Sequence, residues 1–273
     1  MDFLFIILLI SFLLTGLLSG FIAGLLGVGG GIIIVPISYF VLSYLGYSLD
    51  ITMHISIASS LGTITFTSMS SIYTHIKLNN VDYNVIKKWV LGIIFGSVFG
   101  SYLATMITGD YLILIFISLI LLLSINMFFN KNSFVISENI PKKNSINFLL
   151  SGLVGSLSAL IGIGGGSFSV PLLSSFSKSI HKAVGTSAFI GFFIAMPGTI
   201  TYAFLGKNTL GLPPYSIGYV NLIIVFLVSI TSIFSANIGA KYSSKTKNST
   251  LKKIFAVFLF CTCISLIIEN FIF

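Results

Sequence analysis

Apolar residues run along this chain in ten blocks parted by short polar breaks. The blocks cover approximately 3–26, 30–45, 54–75, 86–107, 111–129, 146–163, 165–176, 183–205, 216–240 and 251–271. A membrane-crossing helix needs about 20 apolar residues. The pattern therefore predicts an all-α polytopic membrane protein of roughly 8–10 membrane helices, with the short blocks broken or re-entrant. The longest polar stretch, 130–145, holds Lys131, Glu138, Pro141, Lys142 and Lys143. It parts a first transmembrane repeat (1–129) from a second (146–273) and reads as a cytoplasmic linker.

The two parts resemble each other. Gly24 to Pro36 reads GLLGVGGGIIIVP, and Ala159 to Pro171 reads ALIGIGGGSFSVP. Gly27, Gly29, Gly30, Gly31, Val35 and Pro36 match Gly162, Gly164, Gly165, Gly166, Val170 and Pro171 at a constant offset of 135 (162 − 27). A weaker match aligns the seven residues from His54 with the seven from His181, pairing Ser59 with Thr186 and Ser60 with Ser187. Two motifs in the same order on the same background indicate an internal duplication of five apolar elements each.

Charge placement adds a topology. Only 7% of residues are charged and 56% are hydrophobic, with a mean hydropathy of +1.09, which excludes an ordinary soluble domain and a disordered chain. The net charge is +8, and every basic residue is a lysine. In a soluble protein that surplus would suggest nucleic acid; between apolar blocks it reports membrane orientation. If all ten blocks cross, or the short ones re-enter in pairs, Lys207 stands alone on one side and the other thirteen lysines share the opposite side. Reading 146–176 as one pass would split them seven and seven. The positive-inside rule selects the first arrangement, with lysine-rich loops cytoplasmic and both termini outside. A five-element repeat must then be inverted relative to its partner, as in many secondary transporters. The first residues, MDFLF, lack a basic leader, so the first block is expected to be a retained helix.

Four glycines in five residues do not suit a helix interior, where each costs about 1 kcal/mol against alanine. The backbone should break at Gly27–Gly31 and Gly162–Gly166, and a new helix should begin after each break, ending or bending near Pro36 and Pro171. Such an N-terminus offers free N–H groups and a positive dipole end. Gly16, Gly20 and Gly24, like Gly92, Gly96 and Gly100, form four-residue ladders suited to helix packing. Neither glycine cluster completes a dinucleotide fingerprint, because Ile32 and Ser167 stand where its third glycine would be. Ser56, Ser60, Thr63, Thr67, Ser70 and Thr74 lie on one helical face. That face reads either as helix–helix hydrogen bonding or as the wall of a substrate path. No acid lies at the centre of a block, although cation paths and proton relays usually need one. A site of backbone N–H groups and hydroxyls suits an anion. His54, His75 and His181 lie near block ends and read as interfacial or capping residues. Cys261 and Cys263 fall on different helix faces, which predicts neither a disulfide nor a metal site.

The paired glycine motifs and the segments after His54 and His181 resemble the sulfite exporter TauE/SafE family over about residues 5–270. That resemblance implies a plasma-membrane permease for sulfite, sulfonates or other organosulfur anions. The chain departs from a symmetrical pattern at Ala58-Ser59-Ser60 against Gly185-Thr186-Ser187, and at Ala159 against Gly24. The expected substrate site is Gly27, Gly29, Gly30, Gly31, Pro36, Ser59 and Ser60 with Gly162, Gly164, Gly165, Gly166, Pro171, Thr186 and Ser187. The expected partners are a small anion and the lipid bilayer, with no cofactor, no metal and no nucleic acid. A passive anion channel is the runner-up. An intramembrane enzyme would need a nucleophile–base pair or a metal set, which three scattered histidines and two cysteines do not supply.

Overall fold

The computed structural model describes residues 2–27, 29–129, 137, 140–176, 178–243, 257, 260–261 and 263–268. The chain is almost wholly helical. The first part folds as α1 (Asp2–Leu26), α2 (Gly31–Tyr44), α3 (Leu49–Lys77), α4 (Tyr83–Thr105) and α5 (Gly109–Phe129). The second folds as α6 (Asn144–Leu160), α7 (Gly166–Ser175), α8 (Ile180–Leu205) and α9 (Leu222–Ser243). Residues 263–268 are also helical; Cys263 and Leu266 are buried there, and Cys263 Sγ lies beside the Ile117 carbonyl of α5. Among the described residues each apolar block thus corresponds to helix, with one correction; most of the tenth lies outside them. The ninth was expected to begin at Ser216, but Ser216–Ile217 (β1) and Val220–Asn221 (β2) pair antiparallel, and α9 starts only at Leu222. Gly218 turns this hairpin with φ +54, and a Cβ there would lie 2.2 Å from the Ala203 carbonyl, so the turn is pressed against the end of α8.

Helix ends follow local chemistry. The Asp82 carboxylate accepts from the N–H groups of Asn84 and Val85 and caps α4. Asn221 Oδ1 accepts from Ile224 N at 3.1 Å and caps α9. Gly30 caps α2 in the left-handed region with φ +78, a conformation open to glycine at little cost.

The glycine ladders set the packing. A Cβ on Gly24 of α1 would lie 1.9 Å from the Ala236 carbonyl of α9. One on Gly96 of α4 would lie 2.1 Å from the Gly152 carbonyl of α6. These two helix pairs therefore meet backbone to backbone, as small-residue ladders allow. α3 lies at the centre against α2, α8 and α9, and α8 packs in turn on α4 and α7. Polarity is distributed opposite to that of a soluble protein. Leu91, Phe204 and Phe226 are 72%, 74% and 66% exposed, whereas Ser56, Ser59, Ser60 and Thr63 are fully buried. An apolar exterior over a hydroxyl-rich interior fits lipid as the surrounding solvent. The helices over Ile7–Leu26, Tyr83–Thr105, His181–Leu205 and Leu222–Ser243 are each long and apolar enough to cross a membrane.

Candidate functional site

Both expected glycine breaks are present. α1 ends at Leu26 and α2 begins at Gly31; Gly27, Gly29 and Gly30 all have φ between +68 and +79. α6 ends at Leu160 and α7 begins at Gly166, with Gly162 at φ +69. The breaks touch each other. A Cβ on Gly29 would lie 2.7 Å from Gly164 Cα, and one on Gly31 would lie 2.2 Å from the Gly162 carbonyl. Each break also seats on the long third helix of the opposite part. Gly27 abuts the Val184 carbonyl of α8, and Gly162 abuts Ile57 Cα of α3.

Two helices therefore begin side by side in the interior. Gly29, Gly30, Gly31 and Ile32 are buried, as are Gly164, Gly165, Gly166 and Ser167. Among the described residues, no acceptor faces the N–H groups of these eight positions. The buried Ser167 hydroxyl has no partner among the described residues either. Buried N–H groups are normally paired, and free ones at a helix N-terminus form a ready anion site. Pro36 and Pro171 each stand six residues into their helix, counting its first glycine, and have no N–H to give. Pro36 is buried in the interior. Pro171 instead is exposed, lining an open apolar groove of about 470 Å³ with Leu119, Leu150, Ser167 and Phe168.

The expected hydroxyls divide by role. Ser60 Oγ donates to the Gly162 carbonyl at 2.7 Å, tying α3 to the opposite break. The Ser187 and Ser169 hydroxyls lie 2.7 Å apart, and Ser169 also reaches the Gly165 carbonyl at 2.6 Å. Ser59 and Thr186 act as docks. Ser59 Oγ accepts from Asn221 N, the cap of α9, and Thr186 Oγ1 accepts from Asp82 N, the cap of α4, each at 2.9 Å. In both docks the cap of one part's fourth helix seats on a hydroxyl of the other part's third helix. The sequence reading missed both caps; the only hint was that Asp and Asn stand just before apolar runs.

Of the two readings of the α3 hydroxyl face, the structure supports helix–helix bonding. Ser56, Thr63, Thr67 and Thr74 donate to carbonyls one turn earlier. Thr67 also meets Ser232 at 2.7 Å, Ser70 reaches the Ile233 carbonyl, and Thr74 reaches Asn237. This face packs on α9.

Ionisable groups lie at the two ends. Lys178 pairs with Asp82 at 2.7 Å, joining the α3–α4 and α7–α8 turns on the lysine-rich side. Burial raises the Asp82 pKa, but the Lys178 hydrogen bond and charge and the N–H groups of Val85 and Asn84 outweigh it, holding the carboxyl below its usual range. At the other end Asp50, His54, Thr105, Thr108, Thr209 and Tyr219 line a cleft of about 250 Å³. There the His54 ring stacks on Tyr219 at 4.8 Å, and its Nε2 lies 3.1 Å from the Ala104 carbonyl.

A helical bundle with a lipid-compatible exterior, buried helix N-termini and a hydroxyl-rich interior describes a polytopic membrane transporter. The sequence profile of the sulfite exporter TauE/SafE family matches residues 12–266, and the chain belongs to that family. It is similar to a probable membrane transporter protein of Haemophilus influenzae, 33% identical over 250 residues that cover 90% of this chain and 93% of the relative. A probable membrane transporter protein of Methanocaldococcus jannaschii is 28% identical over 254 residues, covering 92% of each chain. One from Bacillus subtilis is 29% identical over 266 residues, covering 90% of this chain and 92% of the relative. No solved structure matches the chain.

Proposed function

We propose that the protein is a secondary transporter of the plasma membrane for a small anion. Sulfite, a sulfonate or another organosulfur compound is the favoured cargo. The observation that carries this reading is the meeting of two glycine-led helix N-termini whose buried N–H groups have no acceptor among the described residues. An anion presents acceptors on all sides, and it complements the two positive dipole ends. A cation would meet the wrong end of both dipoles. The packing, read as an inverted repeat, supports alternating access. α1 pairs with α9 as α6 pairs with α4, and the Ser59 and Thr186 docks are formed in the same exchanged manner. Rocking one part against the other would open one dock as the other closes. The thirteen-to-one lysine split supports cytoplasmic loops at the Asp82–Lys178 end and both termini outside.

The test is reconstitution into liposomes with measurement of sulfite and methanesulfonate flux. Flux should saturate with concentration, whereas a passive channel would give flux that does not. Gly30→Leu and Gly165→Leu should each abolish flux. Gly165→Ala should reduce it less, because Gly165 has an ordinary φ of −52 and the atoms nearest its Cβ position belong to the Ile190 and Ile194 side chains, with the Gly191 backbone farther off at 3.4 Å. Undiminished transport in a leucine variant removes that glycine cluster from the mechanism.

A further inference from the structure

Just before each break, the last turn of the first helix offers a carbonyl to an aromatic side chain from the third helix of the same part. In the second part, Tyr202 Oη donates to the Ala159 carbonyl at 3.3 Å. In the first, His75 Nε2 lies 3.2 Å from the Gly24 carbonyl. The positions correspond, since Gly24 aligns with Ala159 and His75 stands 21 residues after His54 as Tyr202 stands 21 after His181. Both side chains are fully buried. The chemistry differs. A phenol meets the need with its one O–H. A carbonyl only accepts, so Nε2 must carry the hydrogen of the neutral ring, and Nδ1 is left as a bare lone pair. Among the described residues, that buried Nδ1 has no hydrogen-bond partner. A purely structural role would be filled by tyrosine, as the second part shows; histidine adds only an unused proton acceptor.

We propose that His75 Nδ1 is a proton-binding site that couples anion binding at the glycine breaks to uptake of a proton. The reading of the protein as an anion transporter underlies this step. The proton adds to Nδ1 while Nε2–H stays on Gly24. The imidazolium then sits between the negative ends of α1 and α3, which stop at Leu26 and Lys77. A lone cation in a dry interior is costly, and an anion arriving at the adjacent break supplies the counter-charge. From α8, His181 is close enough to interact electrostatically with the ring, and it is partly exposed at the lysine-rich face, which gives the proton a route. α9 ends at the same level with Lys241 and Tyr242. α3 adds Tyr73 and Lys77, which pair with each other at 4.2 Å. α1 and α2 bring no ionisable side chain to this end.

The test is calorimetry of methanesulfonate binding to the purified full-length protein near neutral pH, in two buffers of different ionisation heat. A sulfonate stays ionised throughout, so any proton taken up belongs to the protein. The native chain should take up about one proton per anion bound. His75→Tyr, which rebuilds the bond seen at Tyr202, should bind the anion with no proton uptake, and His75→Gln should do the same. In liposomes, a pH gradient should drive uptake by the native chain at least several-fold and leave the His75→Tyr rate unchanged. Binding without proton uptake by the native chain overturns the inference, as does uptake that survives in His75→Tyr. Absence of any anion binding or flux instead overturns the transporter reading itself.

Discussion

Gly29→Ala tests whether the two breaks truly meet. Two costs are expected. A residue with a Cβ in the left-handed region loses roughly 1–2 kcal/mol. The new Cβ would also lie 2.7 Å from Gly164 Cα, a backbone atom that cannot swing aside. Forcing extra volume into a packed interior costs about 1–3 kcal/mol more. Gly46→Ala separates the two, because Gly46 has φ +83 with nothing within 4 Å of its Cβ position. It carries the conformational cost alone. Loss of chain entropy in the unfolded state is common to both variants and cancels. Thermal melts of both in the same detergent should place Gly29→Ala below Gly46→Ala by roughly 2–12 °C, using about 2–4 °C per kcal/mol for large domains. Anion flux should fall in Gly29→Ala and persist in Gly46→Ala. Equal melting shifts would mean that the breaks do not approach each other, and the proposed site would lose its geometry.

Other substitutions probe the supports. Ser60→Ala leaves the Gly162 carbonyl buried without its donor and should cost about 1–3 kcal/mol, read as a lowered melting temperature. Asn221→Ala removes the cap of α9 and should cost about 0.5–2 kcal/mol from that alone, and Asn221→Asp should restore the cap but not the amide's bond to the Pro214 carbonyl. Asp82 has a carboxyl pKa held below its usual range, so its link to Lys178 stabilises the fold at neutral pH. That contribution is lost as pH falls through the lowered value, so Asp82→Asn should flatten the acid limb of a melting-temperature profile. Added salt should weaken the same link in the native chain.

Much of the architecture was legible because it depends on local backbone chemistry. Runs of apolar residues mark helices whatever surrounds them, and Gly27–Gly31 and Gly162–Gly166 break a helix wherever they stand. The hydroxyl face of α3 was harder to assign. Helical spacing places Ser56, Thr63 and Thr67 together, but spacing cannot say whether they face a cavity or α9. The Ser216–Asn221 hairpin was hidden in an apolar run, because its reversal at Gly218 depends on the end of α8. His75 looked like a capping residue until its neighbours identified the lone pair with no donor.

The sequence alone determined that this is a membrane-embedded helical chain, carrying one glycine motif twice, broken at both copies, and free of acids at the centres of its apolar blocks. Those properties follow from hydrophobicity and φ/ψ preference, which act residue by residue. Only the tertiary structure decided that the breaks touch at Gly29 and Gly164, that Ser59 and Thr186 receive the caps of opposite helices, and that His75 stands where its counterpart is Tyr202. The first two facts join positions more than 100 residues apart in sequence, and the third joins His75 to Gly24, 51 residues away; such pairings are set by shape rather than by pattern.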